Sequence, residues 1–429
     1  MTTPTQSTTT EEAIEGAIDR RMPPGFLWGV ATAGHQNEGD NTGSDTWFLE
    51  HVTPTVFREP SGQACNSLNL WRDDLDLVAA MGLNAYRFSV EWARVEPREG
   101  EFSDQALAHY EALVDGCHER GLAPVVTFNH FTSPHWFAAR GAWLDPLAPD
   151  LFARYCGAVM DRFGDRIAYA VTFNEPNLPR LLTWIDLPAF VADLERATLG
   201  AASASAGVSR YRASNVVLPE EMDAMGDGLA AAHQAAKAAI KARRPDLPVG
   251  LSLAVVDDVV TGNDPSVRDR KRQEVYARWL ELAAQDDFLG VQNYERIAYD
   301  ANGPAPLPDS TARNQMGSAI EPGSLGGAVR YAHEATGVPI LVTEHGMSTD
   351  DDSLRAGFIE PSLLGLRDQL DAGVPVLGYL HWTLLDNFEW IFGYGHQLGL
   401  HEVDRATFAR TPKPSAAVYA ALVEKLSAP

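Results

Sequence analysis

Cysteine is scarce: the 429 residues hold three, Cys65, Cys117 and Cys156, which cannot all pair and show no Cys-x-x-Cys spacing. Buried free thiols are therefore expected rather than a disulfide framework or a cysteine metal site. Long apolar runs are missing too, since none approaches the roughly 20 residues of a membrane helix. Basic residues number 34 against 58 acidic, and the formal charge of −24 argues against nucleic acid or an anionic membrane surface as a partner. No Gly-x-Gly-x-x-Gly follows the first strand-like run, so no dinucleotide-type phosphate loop opens the chain. Residues 1–22, rich in Thr and Glu, lack the apolar core of a signal peptide. They read as a disordered tail, residues 23–429 as one domain, and the location as cytoplasmic.

What is present is an ordinary globular composition, 45% hydrophobic and 21% charged, ample for a core. Short strand-like runs alternate with helical patterns. Strands are expected at 26–31, 85–90, 124–128, 168–173, 249–255, 288–292, 339–343 and 376–382. Helices are expected at 69–81 (stopped by Gly82), between a Ser103 cap and Gly121, and at 151–163, 228–242, 267–284, 324–335, 363–370 and 415–426. Strand and helix in alternation imply parallel pairing through right-handed crossovers, and eight such units close a single (β/α)8 TIM barrel. A doubly wound sheet is the rival, weakened by the absent glycine fingerprint. Residues 178–214 break the pattern. Their short helical stretches and the Ala/Ser/Gly-rich patch at 201–207 read as a mobile loop region over the strand ends.

Two strands finish on a carboxylate. Residues 170–177 read Ala-Val-Thr-Phe-Asn-Glu-Pro-Asn, and Pro176 cannot continue a central strand, so Asn174 and Glu175 are handed to a loop. Residues 340–346, Ile-Leu-Val-Thr-Glu-His-Gly, place Glu344 in the same position. Chemistry in a barrel sits where strands finish, and two carboxylates about 5 Å apart across its mouth suit double displacement at a sugar carbon. Arg87, near the end of the second strand, supplies a positive charge that keeps one carboxylate ionised while the other holds its proton. Around them fall Gln36, His130, Gln292, Tyr294, Trp382, Glu389 and Trp390, the aromatic platforms and amide or carboxylate groups that hold sugars. Taken singly each has a plain alternative: Trp382 as core filler, His130 as a buried satisfied histidine, Glu389 as a helix-cap or surface acid. His130 and His135 are five apart across a Ser-Pro turn, which gives no metal-binding helical face. No metal and no cofactor are expected.

Several motifs occur in order: Phe26-Leu-Trp-Gly-Val-Ala-Thr-Ala33 with Gln36 and Glu38-Gly39, Tyr86-Arg-Phe-Ser89 with Glu91-Trp92, Thr172-Phe-Asn-Glu-Pro176, Thr343-Glu-His-Gly346, and Leu384-Leu-Asp-Asn-Phe-Glu-Trp390. Together they resemble glycoside hydrolase family 1, the β-glucosidase family, over about residues 24–419. The resemblance implies a retaining β-glycosidase acting on a small-molecule β-glycoside, with Glu175 as general acid/base and Glu344 as nucleophile. It implies that Gln36, His130, Asn174, Glu389 and Trp390 bind the sugar, that Trp382 forms its platform, and that Tyr294 and Arg87 contact the nucleophile. β-Glucosides are the leading substrates, with galactosides, fucosides and xylosides beside them. The alternatives are a transglycosylating enzyme and a non-catalytic sugar-binding barrel. Three departures stand out: His345 where the family has Asn, Gln292-Asn293-Tyr294 where it has Asn-Tyr-Tyr, and Ser318 after Met316-Gly317 where a tryptophan commonly lines the leaving-group site. Glu389-Trp390 is intact, which implies a sugar without phosphate. Oligomeric state is not legible.

Overall fold

The computed structural model describes residues 21–185 and 188–427. Eight strands, β1 (Leu27–Ala31), β2 (Ala85–Ser89), β3 (Ala123–Asn129), β4 (Tyr169–Asn174), β5 (Val249–Ala254), β6 (Phe288–Asn293), β7 (Ile340–His345) and β8 (Val376–Trp382), pair in sequence order and close by pairing β1 with β8. All pairs are parallel, and helices return the chain between strands. This is the (β/α)8 barrel. The tail expected over residues 1–22 lies outside the described residues except for Arg21 and Met22. Met22 is buried, and its N–H donates to the Leu426 carbonyl at 2.7 Å.

Local signals explain most boundaries. Ser103 accepts from the Ala106 N–H and starts the helix Asp104–Glu119, while Gly121, at φ +69°, supplies the left-handed turn that leads into β3. Inside the barrel, Leu27, Ala31, Ala85, Val125, Val171, Phe288, Leu341 and Leu380 from seven strands form one apolar plug. The larger cluster lies between the outer faces of the strands and the helices.

Several expectations are corrected. The Ala/Ser/Gly-rich patch at 201–207 is the end of the 18-residue helix Ala189–Ala206, stopped by Gly207 at φ +67°. Alanine is the strongest helix former, and Leu199 and Ala202 bury this helix against Leu49, Tyr211 and Phe388. The helix expected at 363–370 runs over Asp352–Asp371, with Pro361 inside it. The helix expected at 267–284 breaks at Tyr276 into Ser266–Val275 and Ala277–Ala283. Two small sheets were not foreseen. One joins Asp257–Val260, Arg296–Asp300 and Gly303–Pro304, and the other pairs His401–Val403 with Arg410–Pro412.

Gly250 of β5 shows how closely the barrel strands meet. A Cβ there would overlap the Phe288 carbonyl oxygen on β6. Because the obstacle is backbone, Gly250→Ala should destabilise the fold by about 1–3 kcal/mol. The midpoint of urea unfolding measures this, and an unchanged midpoint would mean that β5 and β6 separate freely.

Candidate active site

Two irregularities in strand pairing aim the site residues. On β7, Leu341 packs inside the barrel and the Thr343 hydroxyl reaches Ser252 Oγ at 2.9 Å. Strict alternation would send Glu344 outward. The register slips between Val342 and Glu344, and Glu344 turns in as well. On β4 the register slips between Val171 and Asn174. Asn174 thereby enters the barrel mouth, while Phe173 packs on Trp143 and Phe152 outside. Glu175 follows at φ +46°, a left-handed conformation rare for a side chain of its size, held by its N–H to the Ser252 carbonyl at 2.8 Å. Asn177 secures the turn by bonding both the N–H (3.1 Å) and the carbonyl (2.8 Å) of Ala254.

The two glutamates sit in unlike surroundings. Glu344 receives three donors: Arg87 Nη1 at 2.5 Å and Gln292 Nε2 at 2.8 Å on Oε1, and the Tyr294 hydroxyl at 2.7 Å on Oε2. Arg87 is fully buried, and its other nitrogens donate to Thr127 Oγ1 at 3.0 Å and Asn174 Oδ1 at 2.6 Å. Burial raises the Glu344 carboxyl above its ordinary value, opposed by the Arg87 charge and the Tyr294 hydrogen bond. No described residue donates a hydrogen bond to the Glu175 carboxyl. Burial first, and the charge of Glu344 next, push it well above its ordinary value.

The remaining expected residues gather on one side of this pair. The His130 ring lies parallel to Trp382 (centroids 5.7 Å apart) and to Trp390 (6.1 Å). Gln36 Nε2 donates to the Phe388 carbonyl at 2.8 Å and to Glu389 Oε2 at 3.3 Å. Gln36 Oε1 and His130 Nδ1 are buried with no partner among the described residues. Burial, and then the charge of Arg87, hold His130 well below its ordinary value, in the neutral form. Burial, and then the charge of Glu344, push Glu389 up to about 8. The ten residues implied by the resemblance, and Gln292 with them, thus meet at the C-terminal mouth.

Sequence reasoning missed others. His35 also stacks on Trp390 (5.7 Å), and its Nε2 meets Glu50 Oε1 at 2.8 Å. Its place just before Gln36 was the one available signal. Asn177 and the bridging of Gln292 left no trace in the pattern. Beside Glu175 lies a cavity of about 350 Å³, lined by Phe131, Pro179, Arg180, Val217, Met222 and Trp279 among others. Ser318 is not part of that lining; its hydroxyl donates to Glu295 Oε2 at 2.5 Å.

Two strand-end glutamates, a buried arginine between strands and a ring-lined pocket in a (β/α)8 barrel are matched by one family profile, described as glycosyl hydrolase family 1, over residues 18–192 and 279–427. The chain belongs to glycosyl hydrolase family 1. It is similar to thermostable beta-glucosidase B of Thermobispora bispora, 31% identical, with 96% of this chain and 93% of the relative covered. A beta-glucosidase of Agrobacterium is also 31% identical, with 94% and 95% covered. Among solved structures, beta-glycosidase BGL167 is 44% identical with a TM-score of 0.88, over 95% of this chain and 98% of that one.

The raised carboxyl of Glu389 has a consequence for stability. A carboxyl lifted from 4.5 to about 8 by folding leaves the folded chain holding more protons than the unfolded one between those values. Stability is therefore lost as pH rises through that window. Glu389→Gln cannot ionise, so its thermal midpoint should gain on the parent from about pH 4.5 to 8 and then level off, by at most about 1.4 kcal/mol per pH unit. A difference that does not vary with pH would show that Glu389 ionises as freely as an exposed acid.

Proposed function

We propose that the protein is a retaining β-glycosidase, a β-glucosidase acting on terminal non-reducing β-D-glucosides, with Glu344 as nucleophile and Glu175 as acid/base. The observation that carries this reading is the asymmetry of the pair: three donors hold negative charge on Glu344, and none holds it on Glu175. Attack on a sugar carbon needs the first state and protonation of a leaving oxygen needs the second. Of the nucleophile's two oxygens, Oε1 carries a charged and a neutral donor and Oε2 only the Tyr294 hydroxyl. Oε2 is thus the less neutralised, and the attacking, oxygen.

The sugar sits among Gln36, His130, Trp382, Glu389 and Trp390, where the unpartnered Gln36 Oε1 and His130 Nδ1 meet hydroxyls and the indoles meet the apolar ring face. In the first step Glu344 Oε2 bonds the anomeric carbon while the Glu175 proton passes to the departing oxygen. The Glu344 charge is then gone, and Glu175 becomes the stronger acid and ionises. In the second step Glu175 takes a proton from water as that water displaces Glu344 from the carbon, which restores both groups. The names of the relatives and the intact Glu389-Trp390 pair support a glucoside without phosphate. The leaving group takes the cavity beyond Glu175. Three free, buried cysteines suit the reducing cytoplasm.

Arg87 bonds both Glu344 and Asn174, the neighbour of Glu175, and so ties together the strand ends that carry the two carboxyls, which supports the short spacing a covalent mechanism needs. Net retention should follow, and proton NMR of the first-formed sugar from an aryl β-glucoside reads it. The α-anomer appearing first would overturn the mechanism.

The roles of the two acids separate by exchange with azide. Glu175→Ala should still react with a substrate whose leaving group is very acidic, stall at the covalent intermediate, and turn over with azide to a β-glucosyl azide. Glu344→Ala removes the covalent route, so azide attacks from the opposite face and gives the α-azide. Product anomers exchanged between the two variants would reverse the assignment.

A further inference from the structure

Gln292 of β6 donates through Nε2 to two acceptors on its neighbours' sides of the mouth, Asn174 Oδ1 at 2.7 Å and Glu344 Oε1 at 2.8 Å. Only the NH2 end of the amide can serve both, because the reversed amide would set a third oxygen against two acceptors. Its Oε1 is buried and takes no donor among the described residues, so nothing in the protein competes to reverse it. Arg87 Nη2 adds a second donor to Asn174 Oδ1, at 2.6 Å. Asn174 cannot then turn its amide over, since its NH2 would face two N–H groups. Its NH2 is fixed as the donor on the side away from Arg87 and Gln292. A glutamine reaches both strands where the shorter asparagine has one methylene less to do so.

We propose that Gln292 is a positioning residue acting on both catalytic strands: it fixes Asn174 as a donor to the hydroxyl beside the reacting carbon, and it occupies Glu344 Oε1 so that Oε2 attacks. The proposal rests on the reading of Glu344 as nucleophile given above. Asn174 precedes the acid/base in the chain and shares Arg87 with the nucleophile, so its amide lies at the edge of the sugar that carries the reacting carbon and the 2-hydroxyl. Hydrogen bonds to that hydroxyl strengthen as the transition state forms, so an amide already fixed in orientation contributes there more than in the ground state.

Gln292→Leu and Gln292→Met fill similar space without the amide, and both are made so that a folding failure in one leaves the other. With 4-nitrophenyl β-glucoside, kcat/KM should fall about 10- to 100-fold, the range expected for hydrogen bonds to a charged group. The fall should lie in kcat more than in KM. The acid limb of the pH profile should move to higher pH, because Glu344 has lost a donor to its ionised form. With the matching 2-deoxy-β-glucoside the loss should be several-fold smaller, since the hydroxyl that Asn174 serves is absent. Equal losses on both sugars with an unmoved acid limb, or no loss on either, would overturn the proposal while leaving the assignment of the glutamates standing. A parent enzyme inactive on every aryl β-glycoside would overturn that assignment, and this inference with it.

Discussion

A single buried guanidinium sets the charge state of the barrel mouth. Arg87 has no exposure to water, and an unpaired cation in that position would cost several kcal/mol. Its nitrogens are occupied by Thr127, Asn174, the Thr343 carbonyl and Glu344. One positive charge can offset one carboxylate, yet three carboxyls share the mouth. Arg87 touches Glu344, where its charge and the Tyr294 hydrogen bond oppose the rise that burial causes; Glu175 and Glu389 accept no hydrogen bond from it and are pushed up by burial and by the field of Glu344. The unlike surroundings of the two strand-end glutamates therefore follow from which of them the arginine touches.

That reach depends on backbone that departs from regular pairing. A pleated strand shows alternate residues to one face. The slips on β4 and β7 let Asn174 and Glu344 join the interior against that rule, and Glu175 takes a left-handed turn immediately afterwards. Such a conformation costs on the order of 1–3 kcal/mol. It is offset by the Glu175 N–H to Ser252, by the paired bonds of Asn177 to Ala254, and by Phe173, which the slip leaves free to bury itself against Trp143 and Phe152. The same local irregularity aims the site and fills the layer outside it.

The barrel was legible because its strands are nearly continuous apolar runs and its helices carry one apolar face; each expected strand lies within two residues of an observed one at either end. The carboxylates were legible because Pro176 and Gly346 end their strands in the sequence itself. Less was visible where stability comes from distant partners. Helix Ala189–Ala206 owes its place to a cluster drawn from Leu49, Tyr211 and Phe388, which no periodicity within 178–214 could announce. The start of helix Asp352–Asp371 was hidden by Pro361, whose missing bond would have gone to the carbonyl four residues earlier, at Gly357. The register slips leave no signal either, because a bulge is a relation between two strands.

The departures from the family pattern become intelligible on this geometry. With Glu344 turned inward by the slip, His345 faces the other way: its ring stacks on Phe358 of the helix outside, and its Nδ1 meets the Asn293 carbonyl at 2.6 Å. Burial pushes it down to about 4, so a neutral imidazole donates that bond over the ordinary working range. It ties β7 to β6 one residue before Tyr294, whose hydroxyl lies on Glu344. Gln292, two residues before Tyr294, bonds the same carboxylate from the interior. The exchanged residues thus brace one junction from its two faces. A histidine placed beside Glu344 in sequence thus serves the pairing of the two strands there, through Asn293 and Phe358, rather than the carboxylate.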